Sequence, residues 1–162
     1  MRRHRPHIAG PTDVRAPFTF SAGARVAFSD TDAQGIVYYG RYAPYFDVAR
    51  VELWRHLGFD PHSGRERGDF VMRAFEIEYH APARFDDVLE VFVRVAKLGR
   101  TSIVFEYAVV LADGTDTLLA TSTQTLVNVD LEARMPLPID DEVRASIEAH
   151  QATAASGGDQ GN

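Results

Sequence analysis

The sequence feature that most constrains the fold is a segment of helical periodicity with very little polar surface, from Arg41 to Leu57. Its apolar residues recur at steps of three and four, as they do on one face of an α-helix. They are Tyr42, Phe46, Ala49, Leu53 and Leu57, and a second stripe beside them contains Tyr45, Val48, Val51 and Trp54. A helix that is apolar around most of its circumference is expected to be buried on most sides. The rest of the chain must therefore supply elements that wrap this helix.

Strand-like alternation of apolar and polar residues occurs on both sides of the helix. The stretch before it alternates, and its predicted inward face contains Phe18, Phe20, Ala22, Ala24, Val26 and Phe28. After a polar connection at residues 62–68, four alternating runs follow one another from Phe70 to Val129, with a strong hairpin signal at Asp113-Gly114. Runs joined by such short turns predict antiparallel pairing, because parallel strands need connections of about a dozen residues or more.

This order of elements predicts an α+β domain, in which an antiparallel five-stranded sheet wraps around one long central helix. We expect the domain to span residues 17–150, between a disordered basic arm at residues 1–16 and a disordered tail at residues 151–162. A short surface helix is predicted from Asp140 to Gln151. On the central helix, we expect Arg50 and Glu52 to be partners of other polar groups.

Composition and charge exclude several classes of function. The 162 residues include no cysteine, which excludes a disulfide framework and a cysteine-based metal or redox site, and no histidine pair has metal-ligand spacing. The net charge of −6 argues against nucleic acid as the main partner. No apolar run approaches the roughly 18–20 residues of a membrane span, and the basic N-terminus lacks the apolar segment of a secretory signal. We therefore expect a cytoplasmic protein without a metal ion.

A polar loop that contains two carboxylates, Asp30-Thr31-Asp32-Ala33-Gln34-Gly35, precedes the helix. Aspartates before a helix are most often caps and turn formers. The Asp30-x-Asp32 spacing after an apolar strand is also typical of the nucleophile motif of haloacid-dehalogenase-type phosphatases. That motif has threonine or valine two residues after its second aspartate, where this chain has Gln34. It also belongs to alternating α/β structures, which the run of strands after Gly68 argues against.

The loop and the helix together resemble the hotdog-fold acyl-CoA thioesterases of the 4-hydroxybenzoyl-CoA thioesterase and YbgC-like type. The matching residues are D-T-D-A-x-G-x-V-Y from Asp30, then Tyr42, then F-x-x-A-R-x-E from Phe46. Less specific matches are Tyr79-x-x-Pro82-Ala83 with Asp87, Leu98 to Ser102, and Pro136-x-Pro138. The resemblance covers about residues 20–145, and it implies a hotdog fold that agrees with the order of elements read from periodicity.

The resemblance also implies a catalytic site. Asp32 falls on the catalytic carboxylate of the family, which attacks the thioester or activates water. The backbone amide of Tyr39, at the start of the helix, would polarise the thioester carbonyl. Gly35 would let the backbone come close to the thioester. Many YbgC-like members have histidine where this chain has Tyr39, and Asp30 is expected to be structural.

Coenzyme A is expected as part of the substrate, and no separate cofactor is implied. The candidates to bind its phosphates are the basic residues Arg84, Lys97 and Arg100, with Thr101 and Ser102 beside them. All five residues also fit solvated strand ends. The aromatic residues Tyr38, Tyr39, Tyr42 and Phe75 fit either an acyl pocket or the core.

The partners implied by the resemblance are an acyl-CoA substrate and further copies of the chain, in a homodimer or homotetramer with the site between subunits. Two alternatives stay open, namely hydrolysis of acyl groups on acyl carrier protein and acyl binding without hydrolysis. The net negative charge favours coenzyme A over an acidic carrier protein. A catalytic carboxylate would favour hydrolysis over passive binding.

Overall fold

A computed structural model describes residues 9–12, 14–60 and 69–157 of the chain. The elements are β1 Gly10–Pro11, β2 Phe20–Arg25, α1 Tyr42–His56, β3 Asp69–Tyr79, β4 Val88–Leu98, β5 Ser102–Leu111, β6 Leu118–Asp130, β7 Met135–Pro136 and α2 Asp141–Gly157. They form one antiparallel sheet of order β1-β2-β4-β5-β6-β3, and β7 pairs with β6. The predicted helix and its five long strands are confirmed, and two two-residue strands extend the sheet. No helix in the described part of the chain is long and apolar enough to cross a membrane.

Helix α1 packs its first apolar stripe into the main core. Tyr42, Tyr45, Phe46, Ala49 and Leu53 are all buried. The sheet covers this stripe with alternate residues of its inner face, which are Phe20, Ala22, Leu89, Val91, Val93, Ile103, Phe105, Tyr107, Val109 and Ala120. Each large apolar side chain buried in this way contributes roughly 1.5–3 kcal/mol, so the core is sufficient reason for the wrapped arrangement.

The second stripe of α1 is less buried than its periodicity predicts. Tyr45 is buried, Val51 and Trp54 are half-buried, and Val48 remains 44% exposed. The polar residues of the helix do have partners, as expected. Arg50 donates hydrogen bonds to the buried Gln124 and to two further residues, Tyr107 and Asp47, and Arg55 pairs with Glu52.

The C-terminal helix differs from the prediction, because it is a core element and not a short surface helix. Helix α2 continues to Gly157, and the core cluster includes its Val143 and Ile147 together with Ile139 just before it. The Ser146 hydroxyl donates to the carbonyl of Leu57, the residue that follows α1. Helix α2 therefore covers the carboxyl end of the central helix, where the sequence suggested only solvent.

The ends of the chain also depart from the predicted boundaries. Strand β1 lies inside the segment 1–16 that was expected to be a disordered arm, and it pairs with the start of β2. Helix α2 extends past residue 150, into the expected tail. The predicted connection at residues 62–68 lies outside the described residues.

The predicted inward face of the first strand is correct only in its middle. Strand β2 ends at Arg25, so Phe28 lies beyond it in a 3₁₀ turn and is 77% exposed. Phe18 lies before the strand and packs against Phe92 on the other face of the sheet. The alternation of apolar and polar residues continues in the sequence past both ends of the strand, but the strand itself ends at Phe20 and Arg25.

Candidate active site

The aspartate loop is a closed turn attached to the end of β2. Thr31 and Val37 form an antiparallel bridge, and inside it the Asp32 N–H donates to the Ile36 carbonyl at 2.9 Å. The Gly35 N–H donates back to the Asp32 carbonyl at 2.9 Å, and Gly35 has a φ of +77°. A side chain is strained in that left-handed conformation, which explains glycine at this position.

The loop is joined to the connection between β3 and β4. The Val37 N–H donates to the Ala83 carbonyl at 2.8 Å, and Ile36 forms a bridge with Arg84. The Asp87 carboxylate accepts a hydrogen bond from the Arg84 N–H at 2.7 Å, which closes this connection as a turn. The downstream Ala83 and Asp87 positions thus support the loop.

The two loop aspartates have different surroundings. The Asp30 carboxylate is engaged, since its Oδ2 accepts from the Ala27 N–H at 2.9 Å and from the Tyr45 hydroxyl at 2.8 Å. The Asp32 carboxylate is half-buried and accepts from the Gln34 N–H at 2.8 Å through Oδ1. Among the described residues, no other hydrogen bond reaches the Asp32 carboxylate, so its Oδ2 is available to a substrate or to water.

The turn before α1 presents backbone donors. Residues Tyr39–Arg41 form a 3₁₀ turn that leads into the helix, and the Tyr39 N–H donates to no backbone carbonyl among the described residues. The first N–H groups of a helix lack internal partners and have a positive partial charge. The Tyr79 hydroxyl donates to the Tyr39 carbonyl at 2.7 Å and so fixes the next peptide, between Tyr39 and Gly40. The local chemistry suits an anion or a developing oxyanion.

Aromatic side chains surround this loop on the solvent side. Tyr38 and Tyr39 lie against each other with ring centroids 4.4 Å apart, and Phe28 contacts Phe85 edge to face at 5.7 Å. Tyr39 is 66% exposed and Phe28 is more so. The neighbouring Tyr39 hydroxyl raises the pKa of the Tyr38 hydroxyl above its usual value. These two pairs of exposed rings, one at each end of the loop in sequence and in the β3–β4 connection, are called the aromatic rim below.

The predicted coenzyme A residues fall into two groups at opposite ends of the sheet. Arg84 is bridged to the aspartate loop. Lys97 and Arg100 lie at the other end of β4, which runs from Val88, the partner of Arg25, to Leu98. At a rise of about 3.3 Å per residue this strand is roughly 33 Å long. The structure therefore does not bring Lys97, Arg100, Thr101 or Ser102 to Asp32 within one chain.

Two clefts of the monomer lie away from the loop. One of about 270 Å³ is on the outer sheet face, with the carboxylates of Glu76, Glu78 and Glu106 on its wall. The other, of about 460 Å³, lies between the β4–β5 turn and the start of α2, next to Arg100 and Arg144. Neither of these two clefts is lined by a residue of the aspartate loop.

The positions of Tyr45 and Tyr79 at the site were not predicted from the sequence. Tyr45 was assigned to the core by its place in an apolar stripe, and Tyr79 to a strand by alternation. Their rings do pack as periodicity predicts, but the hydroxyls bond to Asp30 and to Tyr39. The sequence did contain a signal for Tyr79, because this residue is the first of the Tyr79-x-x-Pro82-Ala83 match to the hotdog thioesterases.

Residues 34–118 match the model of the thioesterase superfamily, which is more than half of the chain. The chain belongs to the thioesterase superfamily, and it is a thioester hydrolase with the hotdog fold. Within this class it is YbgC-like. It is 40% identical to the acyl-CoA thioester hydrolase YbgC of Escherichia coli O6:H1 over 107 residues, which are 65% of this chain and 78% of that protein. It is 33% identical to the acyl-CoA thioesterase YbgC of Haemophilus influenzae over 130 residues, 79% of this chain and 93% of that protein.

A solved structure agrees on the fold. A thioesterase superfamily protein from Jannaschia sp. CCS1 superimposes with a TM-score of 0.80, over 91% of this chain and 96% of that one, at 20% sequence identity. The resemblance to hotdog thioesterases found in the sequence is thereby confirmed, and the phosphatase interpretation is wrong. The matched residues of the superfamily model begin after Asp32.

Proposed function

We propose that the protein hydrolyses acyl-CoA thioesters and that Asp32 is its catalytic carboxylate. The observation on which the proposal rests is the contrast between the two loop aspartates. Both residues are half-buried, but Oδ2 of Asp30 accepts two hydrogen bonds, one of them from the buried Tyr45, whereas the Asp32 carboxylate accepts one, from Gln34 within its own turn. The names of the YbgC relatives support acyl-CoA as the substrate class. Coenzyme A is part of that substrate, and the proposal requires no separate cofactor.

The reaction has two routes at the same carboxylate. In the first, an Asp32 oxygen attacks the thioester carbon, the C–S bond breaks, and the thiolate leaves and takes a proton. Water then hydrolyses the resulting anhydride and restores the carboxylate. In the second, Asp32 takes a proton from a water molecule that attacks the carbon directly, the C–S bond breaks, and the leaving thiolate takes the proton back from Asp32. Both routes develop negative charge on the carbonyl oxygen, and the Tyr39 N–H is our candidate donor to it.

Gly35 and Tyr39 have backbone roles in this proposal. The left-handed turn at Gly35 lets the loop close tightly beside the reacting group. The exposed Tyr39 ring needs no chemical role, because its N–H supplies the hydrogen bond. The choice of acyl group then depends on the aromatic rim, including Tyr38 and Phe28, and on the surface that covers it.

We further propose a homodimer, because the site of one chain is incomplete. Among the described residues, strand β3 pairs with β6 alone and is an edge strand, and it exposes Val71, Met72, Phe75 and Tyr79. An exposed apolar edge of this length favours pairing with another strand. If β3 pairs antiparallel with β3 of a second copy, the strands of that copy run in the opposite direction along the joined sheet. Its β4–β5 turn, which includes Arg100, then lies at the same end of the joined sheet as Asp32, so coenzyme A phosphates can bind there while Arg84 acts from the first chain.

The proposal is tested with a panel of acyl-CoA thioesters from acetyl to palmitoyl and with benzoyl types, following free thiol with a colorimetric reagent. We expect Asp32→Asn to lower kcat by at least about 10²-fold on the preferred substrate, as for loss of a positioned acid–base group. Glu132→Gln, which changes an exposed carboxylate in the turn after β6, is the matched control and should retain wild-type turnover. Full turnover by a folded Asp32→Asn variant would refute the mechanism. Faster hydrolysis of the same acyl group on a carrier protein would refute the substrate class.

A further inference from the structure

Asp30 connects three separate parts of the chain around the loop. Its Oδ2 accepts from the Ala27 N–H, at the exit of β2, and from the Tyr45 hydroxyl, in the first turn of α1. Its carbonyl accepts from the Tyr38 N–H at 2.9 Å, at the end of the loop. The beginning of the loop, its end and the central helix are thus all fixed to one residue.

The Tyr45 hydroxyl is a donor that keeps its proton. Tyr45 is only 6% exposed, and its ring contacts Tyr42 edge to face at 5.8 Å. Burial, and next the hydrogen bond to Asp30, raise the pKa of Tyr45 far above its usual value. A hydrogen bond to an ionised acceptor is shorter and stronger than one between neutral groups. The Tyr45 hydroxyl is therefore protonated at neutral pH and can donate to Asp30.

The segment between Asp30 and Asp32 transmits this constraint. Thr31 stands between them, its hydroxyl donates to the Phe28 carbonyl at 2.7 Å, and its backbone is bridged to Val37. A displacement of the Asp30 backbone thus changes the direction in which the Asp32 side chain points. A misplacement of about 1 Å in a catalytic group can cost 10²-fold in rate.

We propose that Tyr45, acting through Asp30, is a positioning residue for Asp32. The inference rests on the proposed catalytic role of Asp32. It also gives the two loop aspartates different roles, because the Tyr45 hydroxyl bonds to the Asp30 carboxylate and not to that of Asp32.

The first test measures kcat and KM of Tyr45→Phe on the acyl-CoA that the wild-type enzyme hydrolyses fastest. This substitution keeps the ring and removes the hydroxyl. We expect kcat per folded enzyme to fall about 10-fold or more while KM stays within about twofold, since the loss falls on the transition state. Asp30→Ala should lower kcat at least as much, whereas Asp30→Asn, which keeps an acceptor oxygen, should retain most of it. The double variant Tyr45→Phe/Asp30→Ala should be no slower than Asp30→Ala, because both changes break one interaction.

The matched control is Tyr107→Phe. Tyr107 is also buried, at 1% exposure, and its hydroxyl accepts a hydrogen bond from Arg50, away from the loop. Loss of a buried hydroxyl should lower the melting temperature in both variants, but only Tyr45→Phe should lower kcat.

Two results would overturn the inference, namely full kcat in folded Tyr45→Phe or a fall no larger than that of Tyr107→Phe. If Tyr45→Phe does not fold, full kcat in folded Asp30→Ala decides against the inference in the same way. A wild-type enzyme that hydrolyses no acyl-CoA would instead refute the proposed function, so the two failures are distinguishable.

Discussion

Ile147→Ala tests whether helix α2 is part of the core. Ile147 is fully buried, and it belongs to the same cluster as the apolar stripe of α1. The substitution removes three carbon atoms, worth about 2.4 kcal/mol at roughly 0.8 kcal/mol each, and a cavity adds to this. We therefore expect the free energy of unfolding to fall by about 3–4 kcal/mol. That is a large fraction of the 5–15 kcal/mol typical of a domain and corresponds to a melting temperature lower by about 6–16 °C.

The assay is thermal and urea denaturation of the purified variant, followed by circular dichroism. Glu148→Ala is the matched control, because Glu148 is the next residue of the same helix and is exposed. Substitutions of exposed residues usually change the free energy of unfolding by about 0.5 kcal/mol or less. Equal stability of the two variants would show that α2 does not pack on the core and would refute the reasoning.

Three further predictions concern pH, substrate binding and assembly. Burial, and next the nearby His56, lower the pKa of His150, so the unfolded chain binds the proton more readily. The free energy of unfolding should therefore fall as the pH drops below about 6.5, the usual histidine pKa, and a weaker pH dependence is expected in His150→Gln. Arg100→Ala should raise KM for acyl-CoA with little change in kcat, and added salt should raise KM of the wild type. If neither the substitution nor salt changes KM, phosphate binding at Arg100 is excluded. Phe75→Lys should shift a dimer towards monomer in sedimentation, and a wild-type monomer at micromolar concentration would contradict the shared site.

The fold was predictable because its main elements follow simple periodicities. The apolar stripe from Tyr42 to Leu53 and the four alternating runs after it predict one helix and an antiparallel sheet. Helix α2 was misjudged because Val143 and Ile147 are its only buried residues, a stripe too short to distinguish a core helix from a surface helix. The exposure of β3 was not predictable either, since alternation does not distinguish an edge strand from a central one.

The sequence predicted a loop motif for the candidate site but not the geometry around it. The loop motif led to Asp32, but the separation of Arg100 from it depends on which end of β4 the loop joins. The Tyr45–Asp30 hydrogen bond joins residues fifteen positions apart through a hydroxyl whose ring already belongs to the apolar stripe. Periodicity predicts that the Tyr45 ring is buried, but it does not predict the partner of the hydroxyl.

The order of the strands has a consequence for folding. Helix α1 lies between β2 and β3 in the sequence, yet these two strands are separated in the sheet by β4, β5 and β6. Helix α1 is therefore synthesised after β2 but before β4, β5 and β6, which also cover it, and contacts between residues so distant in sequence form slowly. We expect the β4–β5–β6 meander to gain amide protection first in pulse-labelling hydrogen exchange, and simultaneous protection of β3 would contradict this. Until β6 leaves the ribosome, the nascent chain exposes an aggregation-prone helix, which makes it a candidate client for chaperones that bind apolar segments.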